Sequence, residues 1–581
     1  LQVVPSLNLG GVERGVLDVA KGLITRGHRV SVVSSGGALV EPLLQLGASH
    51  YTMPIHRKSP WMMWQLVPVL TRLIRSAKID LVHARSRVPA WVAFAAARRA
   101  GVPFVTTCHG FYTPHPASGV MTWGRLIIVP SQALGRYLID RFGVAPSRLR
   151  VIPRGVDLAS FAFRGAWTPP TGAWRIGIVG RLSKIKGHEV AVRALHQLIR
   201  QGLPVRLCIV GHAPSPESEL EQRLRRLAND LGVAEALEWN GTRPDIAQAL
   251  RSLDLVVMPS TYPESFGRSL AEAQAVGVPV IASHIGAFPE IVEDGQTGLL
   301  AAPNDASALA QAVRRLMQDP ALAARMVAQA RRRLEEAFTV DQMVEATLAV
   351  YAECLQQPRI LVWKLGALGD VILATPSLRA IRRRHPQAWI TVVVRRPYYD
   401  IVARCPYVNE VMILKPGRGA RRLLGLWRLA RMLRRDGFDA SVDFQNSRST
   451  HLLAWLACIP TRIGYARKWG RLLTTAVPVP VAPMPPVAHQ QHVLRAAGWP
   501  TAGDAIELWP SEQDQARMEE WLQHTEVDAA KPMIGLHIGG SERWKTKRWE
   551  REHWSALCAW CAKQGYQVVL TGSPADQPLG E

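Results

Sequence analysis

The stretch Pro263-Glu264-Ser265-Phe266-Gly267-Arg268-Ser269-Leu270-Ala271-Glu272-Ala273 constrains this chain more than any other. Just upstream, the apolar run Leu255-Val256-Val257-Met258 ends in Pro259-Ser260 and reads as a buried strand. Gly267 opens an Ala-rich helical segment, and Ala275-Val276-Gly277-Val278-Pro279-Val280-Ile281-Ala282 supplies a helix end, a glycine stop and a second buried strand. A strand–loop–helix–strand unit of this kind belongs to a parallel α/β sheet, whose ligands sit at the carboxyl ends of the strands. The helix opening turns free amides toward an anion such as a diphosphate. Glu264 and Glu272 flank that opening as acceptors suited to a neutral polyol, ribose or a sugar ring.

The same alternation runs through the first half of the chain, the pattern of parallel sheets. Leu1–Val4 reads as a strand, and Asn8-Leu9-Gly10-Gly11 turns into a helix from about Val12. Further strands are expected at His28–Ser34, Asp80–His83, Phe104–Cys108, Ile127–Pro130 and Arg150–Pro153. Arg164–Gly172, with its prolines and glycines, reads as a hinge. A new sheet then starts at Trp174–Val179 and continues through Val205–Val210, Leu237–Trp239, Leu255–Met258 and Pro279–Ala282. This predicts Rossmann-like domains at 1–163 and 173–338, facing a cleft, with a returning helix and linker at 339–357.

Near Gln356-Gln357-Pro358 the series restarts, with strands at Arg359–Lys364, Ile390–Val394, Val411–Leu414 and Ala440–Phe444 and a helix at Val371–Arg384. A further domain is expected at 358–510, and a last unit at 531–581 with only two strand candidates and an open edge. Because the chain starts at Leu1 rather than Met and enters a strand at once, both ends are expected to be clipped.

Composition narrows the class. Across 581 residues, 48% hydrophobic and 20% charged residues describe a globular chain of several domains. A formal charge of +24, from 70 Lys and Arg against 46 Asp and Glu, comes without a zinc finger or RNA-binding signature, so nucleic acid is not the expected partner. An anionic membrane face or a phosphorylated glycolipid acceptor suits it better; arginine-rich coding is the bland alternative. No apolar run reaches bilayer length, and no signal pattern opens the chain. Seven cysteines scattered without a framework favour a reducing cytoplasm, and Cys558-Ala559-Trp560-Cys561 reads as one packed helix face.

The Glu-x7-Glu element, with Glu-Ser-Phe-Gly and Glu-Ala-Gln-Ala-x-Gly-x-Pro-Val around it, resembles the donor site of glycosyltransferase family 4 over about residues 1–355. That resemblance implies the GT-B fold and retaining transfer from a nucleotide sugar. It places Arg181 and Lys186, in Gly180-Arg181-Leu182-Ser183-Lys184-Ile185-Lys186-Gly187, on the donor diphosphate. One cation at about 4 Å supplies about 4 kcal/mol of gross attraction at an effective dielectric of 20. Two cations plus helix amides can replace a metal, and no Asp-x-Asp closes a strand, so neither a metal nor another cofactor is expected. Glu272 is then implied for the ribose and Glu264 for the transferred sugar, with Phe266 and Gly267 of the turn between them also on the donor. Gly10 and Gly11 would admit the diphosphate, and His109 in Thr107-Cys108-His109-Gly110 would lie near the donor sugar. Asp157 reads as a structural turn residue. The bland readings are a solvated pair for Arg181 and Lys186, an exposed helix acid for Glu272, a loop acid for Glu264 and a loop-bonding His109. No carboxylate nucleophile is identified.

Lys364-Leu365-Gly366-Ala367-Leu368-Gly369-Asp370-Val371 and the downstream Thr375-Pro376 resemble the opening of glycosyltransferase family 9, the heptosyltransferases. Asp439-Ala440-Ser441-Val442-Asp443-Phe444-Gln445, His537-Ile538-Gly539-Gly540 and Lys547-Arg548-Trp549 extend the match over about 358–581. The resemblance implies inverting transfer from ADP-heptose or a related donor, with Asp370 as base and Lys547 on the leaving diphosphate; Lys545 matches less well. A simple helix cap is the competing reading of Asp370. The family's later Asp-x-Gly-x-x-His loop is not reached before Glu581, so this half is expected to be inactive as it stands. The Arg421–Arg435 segment reads as an amphipathic helix packing its Leu face on a sheet, with a membrane surface as the alternative. The chain is thus expected to be a cytoplasmic, peripherally membrane-associated glycosyltransferase of lipopolysaccharide or surface polysaccharide assembly. A non-catalytic acceptor-binding scaffold, or an enzyme for another lipid or capsule precursor, is the alternative.

Overall fold

The computed structural model describes residues 1–8, 10–211, 219–241, 243, 245–414, 419–501, 503–525, 527–528, 531–539, 549–573 and 576–580, without the side chains of 419–423 and 435. Two compact units result: Leu1–Tyr399 with Tyr407–Ile506, and Asp400–Pro406 with Glu507–Glu581. Lys545 and Lys547 lie outside the described residues, so the expectation for them stands without geometry.

The first unit holds three wholly parallel sheets. In the first, β1 (Gln2–Val3), β2 (Ser31–Ser34), β3 (Ser49–Thr52), β4 (Val82–Ala84), β5 (Phe104–Thr107), β6 (Ile127–Val129) and β7 (Leu149–Val151) take the order β3-β2-β1-β4-β5-β6-β7. The second combines β8 (Trp174–Val179), β9 (Val205–Val210), β10 (Leu237–Gly241), β11 (Leu255–Met258), β12 (Val280–Ser283) and β13 (Leu299–Ala301) as β10-β9-β8-β11-β12-β13. The third repeats that order with β14 (Arg359–Trp363), β15 (Trp389–Val394), β16 (Glu410–Ile413), β17 (Ala440–Asp443), β18 (Thr461–Tyr465) and β19 (Thr475–Val477). In every sheet the winding reverses direction beside the first strand, which opens a crevice at the carboxyl edge between β1 and β4, β8 and β11, and β14 and β17.

Strands read as continuous apolar runs because both faces are covered. Val256, Val280 and Met258 are fully buried, as are Leu361, Val362 and Trp363 in the third sheet. The helix Val340–Gln356 returns from the second sheet to the first. Thr339 and Gln342 cap it reciprocally, and its Val344 packs where Gly22 leaves no Cβ.

Several expectations need correction. The strands β3, β13, β18 and β19 were not anticipated. The helix expected at 371–384 is two, Leu368–Ile372 and Thr375–Arg384; Pro376 lies in the first turn of the second, where its missing N–H costs nothing. The 421–435 segment lies within the helix Gly419–Asp436, with Ala430 and Leu433 buried and Trp427 54% exposed.

Buried arginines join the third sheet to the first. Arg98 donates to the carbonyls of Phe438 (2.9 Å) and Ala457 (3.1 Å), Arg125 pairs with Asp439, and Arg148 reaches Asp436 at 3.8 Å. Burial lowers Arg98 and Arg125 to about 10. All these groups lie where strands begin, opposite the carboxyl edges that carry the crevices. In the second unit, Met533–His537 and Gln567–Thr571 form a two-stranded parallel sheet, β20 and β21, with the helix Arg551–Lys563 between them.

Candidate active site

The turn leaving β8 carries the first cation. Gly187 has φ +69°, and a Cβ there would meet the Pro259 carbonyl at 1.7 Å, so only glycine brings this turn against the exit of β11. Lys186 is thereby delivered beside Glu264, its Nζ 2.8 Å from Oε1 and 2.9 Å from Oε2. Ser260 donates to the same carboxylate at 2.7 Å. With 16% and 15% of their side chains exposed, the lysine and glutamate form a largely desolvated pair. Removing one member of such a pair leaves an uncompensated charge. Arg181, on the same turn, stays exposed.

Gly267 occupies the left-handed region, with φ +114°, and a Cβ would approach the Phe288 ring to 2.7 Å. This starts the helix Arg268–Val276 directly behind Glu264 and carries Glu272 one turn along it, 8% exposed. Burial raises the Glu272 pKa, opposed by the adjacent Arg268 guanidinium, whose Nε donates to Oε1 at 2.8 Å. Phe266, expected to touch a donor, instead lies 4% exposed in the core against Phe338. Its ring braces the turn from behind, so only its backbone faces the crevice.

The first sheet contributes the opposite wall. Gly10 is the extended residue before the helix Gly11–Thr25, and the Gly11 carbonyl accepts from Arg154 Nη1 at 2.6 Å and Arg268 Nη1 at 3.1 Å. His109, just beyond β5, accepts at Nδ1 from Arg154 Nη2 at 2.9 Å. A guanidinium can only donate, so the neutral imidazole carries its proton on Nε2. That atom is buried without a hydrogen-bond partner among the described residues. Burial, then the charges of Arg154 and Arg85, hold His109 well below the usual imidazole range. Arg154 is itself lowered to about 9 by burial and by Arg268.

Further hydrogen bonds tie the walls together at this level. Ser265 Oγ donates to the His109 carbonyl at 2.7 Å, and Glu290 accepts the amides of Gln132 and Ala133 at 2.7 Å each, at the start of the helix Gln132–Phe142. Arg154, Arg268 and Asp18 line a small cavity with His109, and Asp18 lies 3.8 Å from Arg268. Sequence reasoning missed these residues and Ser260. Arg154 stood three residues before the noted Asp157, and Arg268 between the two glutamates, but their partners come from remote segments. Asp157 accepts from Ser160 Oγ and the Ala159 amide; burial notwithstanding, these bonds lower its pKa.

In the third sheet, Lys364 follows β14 and its Nζ lies 3.5 Å from Asp370, whose side chain is 54% exposed. Asp370 sits inside the first turn of its helix, and Ala367 holds the cap position. Asp443, at the end of β17, is buried and raised to about 6 by burial despite amide bonds from Gln445 and Asn446.

Known proteins similar to this chain are glycosyltransferases. The family described as Glycosyltransferase Family 4 matches residues 9–160, Glycosyl transferases group 1 matches 161–333, and Glycosyltransferase family 9 (heptosyltransferase) matches 426–581. The chain is 33% identical over 310 residues to a D-inositol 3-phosphate glycosyltransferase of Acidothermus cellulolyticus, covering 48% of this chain and 68% of that protein. It is 29% identical over 401 residues to a glycogen synthase of Mycobacterium tuberculosis, covering 61% and 95%. A glycosyltransferase from Rickettsia africae superposes with a TM-score of 0.56 at 28% identity, covering 61% of this chain and 98% of that one. HepE of Anabaena, solved with UDP and glucose, gives 0.53 at 25% identity, covering 60% and 98%. The chain therefore belongs to the GT-B glycosyltransferases of family 4 and group 1, and carries a glycosyltransferase family 9 module behind that part.

Proposed function

We propose that the first module, the part built on the first two sheets, transfers a sugar with retention from a nucleoside diphosphate sugar to a glycan or glycolipid acceptor of the cell surface. One observation carries this reading: Glu264, held by Lys186 and Ser260, is followed by Ser265 bonded to His109, and the adjoining helix holds Glu272. Arg181 and Lys186 neutralise the departing diphosphate together with the amides at the start of the helix Arg268–Val276, so that no metal is needed. Glu272 accepts from the ribose hydroxyls and Glu264 from the transferred sugar. His109 Nε2 donates to a sugar hydroxyl, and Gly10 and Gly11 let the donor approach the backbone. The solved complexes of Anabaena HepE with UDP and with UDP-glucose make uridine the first base to try.

The second module, built on the third sheet, is proposed to carry the beginnings of a heptose-donor site, with Asp370 as the acceptor's base beside Lys364 and Lys547 for the leaving diphosphate, and to turn nothing over as it stands. An acceptor in lipopolysaccharide places the work at the cytoplasmic face of the membrane. No helix of the described residues is long and apolar enough to cross a bilayer.

The test offers UDP-, GDP- and ADP-sugars to the full chain and measures nucleoside diphosphate release with and without chelator. Release from one donor class, indifferent to chelator and lost in Glu272→Ala, is expected. Donor binding without release under every acceptor tried would instead favour the scaffold reading.

A further inference from the structure

The helix Pro60–Ser76 turns an exposed stripe outward, on which Arg75 also donates to the Arg99 carbonyl at 2.7 Å. Val67, Leu70, Thr71 and Ile74 bury its inner side, against the helix Arg87–Ala100. Trp61 and Trp64 stand on its outer side, 66% and 64% exposed, with ring centroids 5.4 Å apart and planes 26° apart. Two neighbouring indoles left this open lose burial that tryptophan normally obtains. Arg72 and Arg75 follow on the same stripe, since positions three and four apart share a helix face. Arg57 and Lys58 precede it and Lys78 succeeds it, and all five cations are exposed. Glu41 and Asp80 are the nearest acids along the chain on either side.

We propose that this stripe docks the protein on an anionic lipid bilayer, with the two indoles at headgroup level and the flanking cations on the phosphates. An aromatic pair set between basic ends, with no acid, matches an interfacial helix lying in the plane of a membrane. Each cation near an anionic surface adds attraction of its own. Position also fits. The segment leading into the helix leaves β3 at the carboxyl edge of the first sheet, the edge that carries Gly10, Gly11 and His109. A bilayer met here would present a lipid-linked acceptor to the crevice. The inference rests on the reading of a glycolipid acceptor for its purpose, but its test uses no turnover.

Full-length protein is sedimented with vesicles of phosphatidylcholine alone and of phosphatidylcholine mixed equally with phosphatidylglycerol. Binding to the mixed vesicles only is expected, with quenching by bromine-labelled acyl chains. Trp61→Ala/Trp64→Ala should weaken it at least about tenfold, from the lost apolar burial. Arg57→Glu/Lys58→Glu should weaken it about fivefold or more per cation, and high salt should release the protein. Both variants change exposed side chains, so an unaltered melting temperature and unaltered nucleotide binding check that the fold survives. Equal vesicle binding by wild type and the tryptophan variant overturns the proposal, as does binding to neither vesicle. A tryptophan variant that keeps vesicle binding but loses a lipid-free glycan acceptor also overturns it, making the stripe a saccharide platform. If vesicle binding behaves as expected while no nucleotide sugar is turned over, the docking surface stands and the proposed function falls.

Discussion

The crevice between β8 and β11 and the crevice between β14 and β17 occupy the same place in two sheets of identical winding, yet they treat their carboxylates differently. In the first, Glu264 is held by Lys186 and Ser260 within 2.9 Å and is largely withdrawn from water. In the third sheet, Asp370 has one cation at 3.5 Å and 54% of its side chain exposed. A carboxylate engaged on both oxygens is a fixed acceptor, whereas one held loosely at a surface remains free to take a proton. On the proposed reading the first carboxylate positions the sugar while the second takes the acceptor hydroxyl's proton, and the two settings suit those separate tasks. The buried carboxyl of the second module is instead Asp443, at the end of β17 and raised to about 6 by burial.

The comparison breaks or sharpens at four points. The largest effect is expected for Glu264→Ala, which removes the sugar's acceptor and strands Lys186. Transfer by the first module should fall about 10²- to 10³-fold, with about 3 kcal/mol lost from stability in denaturant titrations. Asp370→Asn should leave that same transfer unchanged; a comparable loss there would dissolve the distinction.

Acid should act oppositely on the two modules. His188 beside Lys186 is lowered from 6.5 to about 4 by burial, so its folded pKa lies below its unfolded one. Its contribution is present above pH 6.5 and is lost as pH falls toward 4, about 3 kcal/mol in all. Asp443 is raised from 3.8 to about 6, so its contribution is present below pH 3.8 and is lost as pH rises through 6, again about 3 kcal/mol. Stability measured against pH should lose the first slope in His188→Gln and the second in Asp443→Asn. If both variants shift the curve in one direction, the assignment of neutral forms is wrong.

Smaller is the effect of Arg268→Met. This change frees Glu272 and one of the two guanidinium bonds on Gly11, so donor KM should rise about tenfold, the worth of one charge-assisted bond, with kcat little altered. Arg268→Lys should recover part of it. Smallest is Arg181→Gln. Its charge on the departing diphosphate is screened by water at this exposed position, so its loss is expected to lower kcat about fivefold at moderate salt and less at high salt.

Much of this was legible in the chain. The central strands announce themselves because both faces are covered, which requires unbroken apolar runs such as Leu255–Met258. The strand β3 escaped because Ser49-His50-Tyr51-Thr52 is an edge, half open to water and without an apolar signature. The edge strand β19 escaped for a similar reason, and β18, paired between β17 and β19, escaped because Thr461 and Arg462 leave it only a short apolar run. At the site, Lys186, Glu264 and Glu272 were found through local wording, since each lies on a turn or helix whose residues are contiguous. Arg154 was not, because its meaning lies in bonds to Gly11 and His109, 143 and 45 positions away.

The sequence by itself determined the sheet order's raw material, the turns that only glycine can make and the types of charge placed at strand ends, because these follow from periodicity and backbone sterics within short windows. Only the tertiary structure decided which charges are spent on each other, which ring of the Phe266 turn faces inward, and which nitrogen of His109 is left to donate. Those outcomes depend on burial and on partners from distant segments, and no local pattern encodes either.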